Sequence, residues 1–159
     1  MPPSSFAPAS NIARAALQAC LDLVVLLATS ITFACVLTTQ LQTERLGWVW
    51  PSIPYDYTRG DVWIHALLAS LIVIPVLMLC RRQGARRSPR WQDLAFALST
   101  LLVLRLGPPD AQVFGTTWTT WEITAGLFLL QWPIVVPLTV AAVMLRRLLG
   151  WRGAGAGGF

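Results

Sequence analysis

The chain contains no lysine, and charged residues of any kind make up only 12% of its 159 residues. A soluble domain usually carries about twice that fraction of charged side chains. More than half of the residues are hydrophobic, and they are grouped in blocks long enough to cross a membrane instead of in the stripes of a soluble core. These features exclude an ordinary soluble domain and predict an integral membrane protein.

Cysteine and histidine are scarce, with three cysteines and one histidine in the whole chain. No two cysteines form a CxxC pair, which argues against a redox dithiol or a cysteine zinc site. The chain also lacks GxSxG, HExxH and a phosphate-binding glycine loop. We therefore expect a protein that is not an enzyme and that has neither catalytic residues nor a metal site.

All twelve basic residues are arginine, and the net charge is +5. Such a charge can indicate nucleic-acid binding, but these arginines adjoin apolar blocks. That position is typical of charges that orient membrane helices. We expect lipids and other integral-membrane subunits as partners, and no nucleic acid.

The apolar blocks predict an all-α integral membrane protein with four transmembrane helices in an antiparallel up-and-down bundle. A lead rich in proline and serine, residues 1–10, precedes a single membrane domain, residues 11–150. A glycine-rich tail, residues 151–159, follows it. Prolines and aromatics predict a loop on the outer surface at 40–60, and five arginines mark a cytoplasmic loop at 81–90. The predicted helices cover about residues 12–39, 61–80, 91–106 and 117–149.

The arginine distribution orients these helices. With four crossings, nine of the twelve arginines share one side with both termini, and the positive-inside rule places that side in the cytoplasm. The third block is the weakest, because it carries Asp93 and Arg105 and its 16 residues reach only about 24 Å. If it did not cross, the two richest arginine clusters would lie on opposite sides. Four crossings are therefore favoured, in a membrane that we expect to be the bacterial inner membrane.

Charged groups inside apolar blocks are the best site candidates, because each costs about 2.5–3.5 kcal/mol at a helix centre unless it is paired. Asp22 lies about two turns into the first predicted helix, within reach of Arg81, Arg82 or Arg90. It is either a proton- or ion-handling carboxylate, or a structural partner that fixes how the first helix meets the arginine loop or another subunit. The structural role is favoured.

A second group is predicted near the outer side, where His65, Arg105 and Glu122 come from three helices at similar depth. Such a cluster can bind a quinone headgroup or an anionic lipid, or it can lock the helices together. We favour the lock. Because a short connection makes the third and fourth helices antiparallel neighbours, we predict that Arg105 and Glu122 pair, directly or through His65.

His65 is also a candidate cofactor ligand, because an imidazole in an apolar helix can bind heme or chlorophyll axially. The segment 63–68, with Trp63 close to His65, loosely resembles pigment-binding helices. A heme held by two histidines of this chain is excluded, since no second histidine exists.

Small loops and the lack of catalytic motifs favour a non-catalytic accessory subunit that packs into and stabilises a respiratory, photosynthetic or transport complex. One alternative is a small transporter subunit. In outline, with about 160 residues, four predicted helices and both ends inside, the chain resembles the small membrane subunits of tripartite binding-protein-dependent transporters. A second alternative is a quinone-, heme- or chlorophyll-binding component that uses His65.

Overall fold

The computed structural model describes residues 7–50, 59–84, 89–107 and 119–155. Parts of the predicted lead, of both loops and of the tail lie outside these residues. Within them the chain is helical and contains no strand, which confirms the predicted all-α class for this part of the chain. The elements are α1 (Ala7–Thr43), α2 (Arg59–Gly84), α3 (Pro89–Leu106), α4 (Thr120–Thr124), a π-helical segment (Ala125–Leu129) and α5 (Trp132–Gly155).

In the part of the chain that the structure describes, three helices are long and apolar enough to cross a membrane: α1 over Ile12–Thr43, α2 over Arg59–Arg81 and α5 over Trp132–Leu149. Helix α3 is shorter, at 18 residues. It also carries three charged residues, Arg90, Asp93 and Arg105, which lower its hydropathy. The membrane class thus rests on three helices, and α3 is the element on which the number of crossings depends.

Helix α1 is central and contacts α2, α3 and α5. Asp22 in its first half meets Arg81 near the end of α2, whereas Trp50 beyond its end lies against Trp63 near the start of α2, with ring centroids 6.2 Å apart. Helices α1 and α2 are therefore antiparallel. We call the end of the bundle that holds Asp22 and Arg81 the charged end, and the opposite end the tryptophan end.

The apolar core has two main layers along the bundle axis. The layer nearer the charged end joins α1, α2, α3 and α5, and the second layer joins α1, α3, the π-helical segment and α5. The first is built from Val25, Leu26, Ala69, Val73, Leu77, Ala95, Phe96, Val103 and Ala142. The second is built from Phe33, Leu37, Leu104, Leu127, Ile134 and Val135.

Many of the hydroxyl side chains in the described helices are satisfied by their own backbone. Each of nine serines and threonines donates to the carbonyl oxygen four residues earlier, at 2.7–2.9 Å. This geometry removes the need for water around a hydroxyl, as a helix in lipid requires. The residues are Thr29, Thr32, Thr38, Thr39, Thr43, Ser70, Ser99, Thr100 and Thr139.

The fourth predicted helix, about residues 117–149, is interrupted in the structure. The chain forms a short α-helix, then the π-helical segment, and only then α5. The backbone N–H of Leu130 donates to the Ala125 carbonyl at 2.8 Å, a spacing of five residues. Pro133 has no N–H to continue the ladder, and it occupies the first turn of α5, where its fixed φ is tolerated. Its position explains why the helix restarts at Trp132.

Gly107 ends α3 at a close approach to α1. Its N–H donates to the Val103 carbonyl at 2.8 Å. A Cβ atom added at Gly107 would overlap the Ser30 hydroxyl of α1 and lie 2.9 Å from the Val103 oxygen. The absence of a side chain here lets α3 reach α1.

We expect Gly107→Ala to destabilise the protein by about 1–3 kcal/mol, because overpacking must push α3 away from α1. The free energy of unfolding in detergent, followed by circular dichroism, measures this. Ser30→Ala is the paired variant, since the buried Ser30 Oγ has no hydrogen-bond partner among the described residues. The double variant should recover part of the loss; strictly additive effects of the two changes would contradict the proposed contact.

Candidate functional site at the charged end

Asp22 is fully buried on α1 and pairs with arginines from two other helices. It forms an ion pair with Arg81 of α2, and its Oδ1 lies 3.1 Å from Nε of Arg146 on α5. Gln18, one turn earlier, donates to the same Oδ1 at 3.4 Å. A buried charge is costly unless it is paired, so Asp22 holds α1, α2 and α5 in register.

Arg146 extends these pairs to α3. Its Nη1 lies 3.4 Å from Asp93 Oδ1, and its guanidinium carbon is 4.9 Å from the centroid of the Phe96 ring. The neighbouring Arg147 binds the other oxygen, Asp93 Oδ2, through Nη2 at 2.6 Å and Nε at 3.2 Å. The Arg146 side chain is 10% exposed, against 58% for Arg147. Arg146 is therefore the buried centre of the network, and Arg147 is its solvent-facing edge.

We call these five residues, Asp22, Arg81, Asp93, Arg146 and Arg147, the ion network. Three arginines face two aspartates, so the network carries one uncompensated positive charge. Among the described residues, the buried Nε of Arg81 has no hydrogen-bond partner. The arrangement can therefore clamp four helices together and favours anions at this end of the bundle.

The structure places Asp22 against Arg81, which is among the three arginines considered as its partners. Sequence reasoning did not anticipate Arg146, nor the pairs that Asp93 forms. The predicted depth in the membrane could have indicated these pairs. Arg146 follows the fourth apolar block, at the same predicted side of the membrane as Asp22 and Asp93. The guanidinium of Arg146 lies between the two carboxylates and contacts both.

The predicted direct pair between Arg105 and Glu122 does not form. Arg105 Nη2 donates to Thr124 Oγ1 at 2.7 Å. The Glu122 carboxylate instead turns back on its own helix, where Oε2 accepts from the Thr119 N–H at 2.7 Å and from the Thr119 hydroxyl at 2.9 Å. A local capping box needs no long-range ordering of side chains, so it competes well with an interhelical pair.

These two hydrogen bonds from Thr119 lower the pKa of Glu122, because they stabilise the charged carboxylate. A carboxylate with a lowered pKa stabilises the folded state above its unfolded pKa, and the contribution is lost as the pH falls through the folded pKa. We expect protection of the Thr119 amide from hydrogen exchange to be present at neutral pH and to be lost as the pH falls through the folded pKa of Glu122, which lies below the usual glutamate value of about 4.3.

The matched variant for this effect is Glu122→Gln, whose side chain does not titrate. In that variant, protection of the Thr119 amide should be weaker at neutral pH and nearly independent of pH. Equal pH dependence in the wild type and the variant would show that Glu122 does not control the cap.

His65 is half-buried on α2, one turn after Asp61. Both residues take part in interactions, so neither is free. Within the described ranges, no three His, Cys, Asp or Glu side chains come together as a metal site would require. The assignment of His65 as a cofactor ligand stays a prediction.

Comparisons with known proteins give no match to a family model, to a curated protein or to a solved structure.

Proposed function

We propose that the protein is a non-catalytic integral-membrane subunit that packs into and stabilises a larger complex of the inner membrane. The observation that carries the proposal is the ion network. Five ionisable side chains from four helices pair with one another, and one positive charge is left uncompensated. This use of charge suits a scaffold, since paired charges fix helix positions without performing chemistry.

The proposed topology has four crossings, with the charged end in the cytoplasm and both termini on that side. From Asp22 to Thr43, α1 rises about 33 Å, close to the hydrocarbon thickness of about 30 Å. Helix α3 is the least apolar crossing. Its Asp93 is paired with Arg146 and Arg147, and its Arg105 binds Thr124, which reduces the cost of placing α3 in the membrane.

The first turns of α1 offer a surface to another subunit. Because α1 begins at Ala7, about 22 Å of helix precedes Asp22. Ile12 is 70% exposed and Leu17 is 61% exposed on this extension. Both side chains lie in the apolar stretch Ile12–Thr43, where an exposed apolar side chain faces lipid or a partner protein, and we propose the partner.

Purification in mild detergent from native membranes tests the proposal. We expect the tagged chain to elute with larger integral-membrane proteins, and Ile12→Ser with Leu17→Ser to release them while the protein still folds. Leu46→Ser is the matched control, because Leu46 is 74% exposed beyond the other end of α1. A lone 17.5 kDa species with an activity of its own would contradict the proposal.

The identity of the co-purifying proteins separates the classes of complex. A large multi-spanning permease together with a periplasmic binding protein would assign the chain to a tripartite transporter. A pigmented or heme-containing complex would direct attention to His65, where His65→Leu should change the visible absorption spectrum only if His65 is a ligand.

A further inference from the structure

A groove between α2 and α3 is open at the surface of the helix bundle and has a volume of about 200 Å³. Apolar side chains form most of its wall, and the polar Ser99 is satisfied because its hydroxyl donates to the Ala95 carbonyl at 2.8 Å. A ligand in this groove therefore meets hydrocarbon and no free hydroxyl. The main lining residues are Val76, Cys80, Trp91, Leu94, Leu98 and Leu102.

The length of the groove matches one leaflet of a bilayer. From Trp91 to Leu102 the groove follows α3 for about 16 Å, and half of the hydrocarbon thickness is about 15 Å. The length of the groove therefore fits a single lipid acyl chain.

The groove ends at Cys80 on α2 and at Trp91 on α3, and we call this end its mouth. The sequence between these two residues, 81–90, contains five arginines and no acidic residue, and one of the five, Arg81, pairs with Asp22. The Arg90 side chain is exposed beside Trp91. Asp93, the next acidic residue along the chain, is already bound to Arg146 and Arg147. Basic sites at the cytoplasmic edge of membrane helices attract anionic headgroups.

We propose that this groove binds one acyl chain of an anionic phospholipid, whose headgroup phosphate is held at the mouth by Arg90. Trp91 lies at the level where an aromatic ring spans the boundary between headgroup and hydrocarbon. The assignment to the cytoplasmic leaflet rests on the proposed topology. The binding itself depends neither on a partner complex nor on the orientation of the chain.

Native mass spectrometry of the full chain, purified in mild detergent and supplied with phosphatidylglycerol or phosphatidylcholine of identical acyl chains, tests the site. The wild type should retain one phosphatidylglycerol in preference to phosphatidylcholine. Leu98→Trp, which fills the groove, should lose both lipids. Val24→Trp is the matched control, because Val24 is 60% and Leu98 57% exposed, and it should retain lipid as the wild type does.

Two further variants test the headgroup. Arg90→Gln should lower the preference for phosphatidylglycerol about fivefold, the value expected for one arginine near an anionic surface, and leave phosphatidylcholine binding unchanged. Arg45→Gln, an exposed arginine beyond the end of α1, should leave the preference unchanged.

Three outcomes would overturn the proposal. They are equal lipid retention by Leu98→Trp and the wild type, an unchanged preference for phosphatidylglycerol in Arg90→Gln, and a disulfide-linked dimer of the Leu98→Cys variant. Glycerol phosphate distinguishes a lipid site from a site for soluble phosphate. We expect it to compete poorly with phosphatidylglycerol. Equal competition in the wild type and Leu98→Trp would mean that the arginines bind phosphate without the groove, which contradicts the proposal.

Discussion

Asp22→Asn is expected to be among the most damaging single substitutions in this protein, with a loss of about 3–5 kcal/mol in the free energy of unfolding. Asp22 is fully buried, and its removal leaves Arg81 and Arg146 without their shared carboxylate. Unfolding by titration with a denaturing detergent, followed by far-ultraviolet circular dichroism, measures the loss. Glu44→Gln, at an exposed acid just after α1, should change the stability little.

The pair between Asp22 and Arg81 is tested further by combining Asp22→Asn with Arg81→Gln. Because this second change removes the arginine that Asp22→Asn leaves unpaired, the double variant should be more stable than the sum of the single losses predicts. Additive losses of stability would contradict the structural pair. If Asp22→Asn instead has normal stability and loses an ion- or proton-dependent activity, Asp22 has the alternative role of an ion-handling carboxylate.

Arg146→Gln and Arg147→Gln are expected to differ strongly, although the two residues are adjacent and both contact Asp93. Arg146 is nearly buried and bridges both aspartates, so its loss should cost about 3 kcal/mol or more. Arg147 is largely exposed, where water and salt screen its pairing with Asp93, so its loss should be small.

The comparison of unfolding free energies in the same detergent checks this difference, and each variant serves as the control for the other. Salt provides a second readout: added salt should weaken the contribution of Arg147 more than that of Arg146, because exposed pairs are screened more. Equal losses for the two variants would mean that Arg146 is not the buried centre of the network.

The helical class and the approximate positions of the helices follow from the sequence because long apolar blocks have few alternatives in lipid, where every backbone group must be bonded within the helix. The interruption of the last helix was not predicted. Pro133 and Pro137 are both visible in the sequence, but only Pro133 coincides with a break, and Pro137 lies inside α5. Which proline interrupts a helix depends on the packing around it.

The contacts in the site could be predicted only as far as the depth of each charged residue in the membrane could be predicted. Asp22 and Arg81 fall at one level by counting residues, and the structure places them in contact. Arg105 and Glu122 also fall at one level, yet each binds elsewhere. Two residues at the same depth need not face each other, and the local pattern of Thr119 followed by Glu122 three residues later indicates a capping box.

The central claim is that α3 crosses the membrane. Labelling with a membrane-impermeant thiol reagent tests this claim most directly. In a chain whose three cysteines are replaced, Ser88→Cys marks the segment before α3 and Gln112→Cys marks the segment after it. We predict that position 112 is labelled in intact cells and position 88 only after the inner membrane is permeabilised. Labelling of both positions from the same side would show that α3 does not cross, and would contradict the four-crossing account.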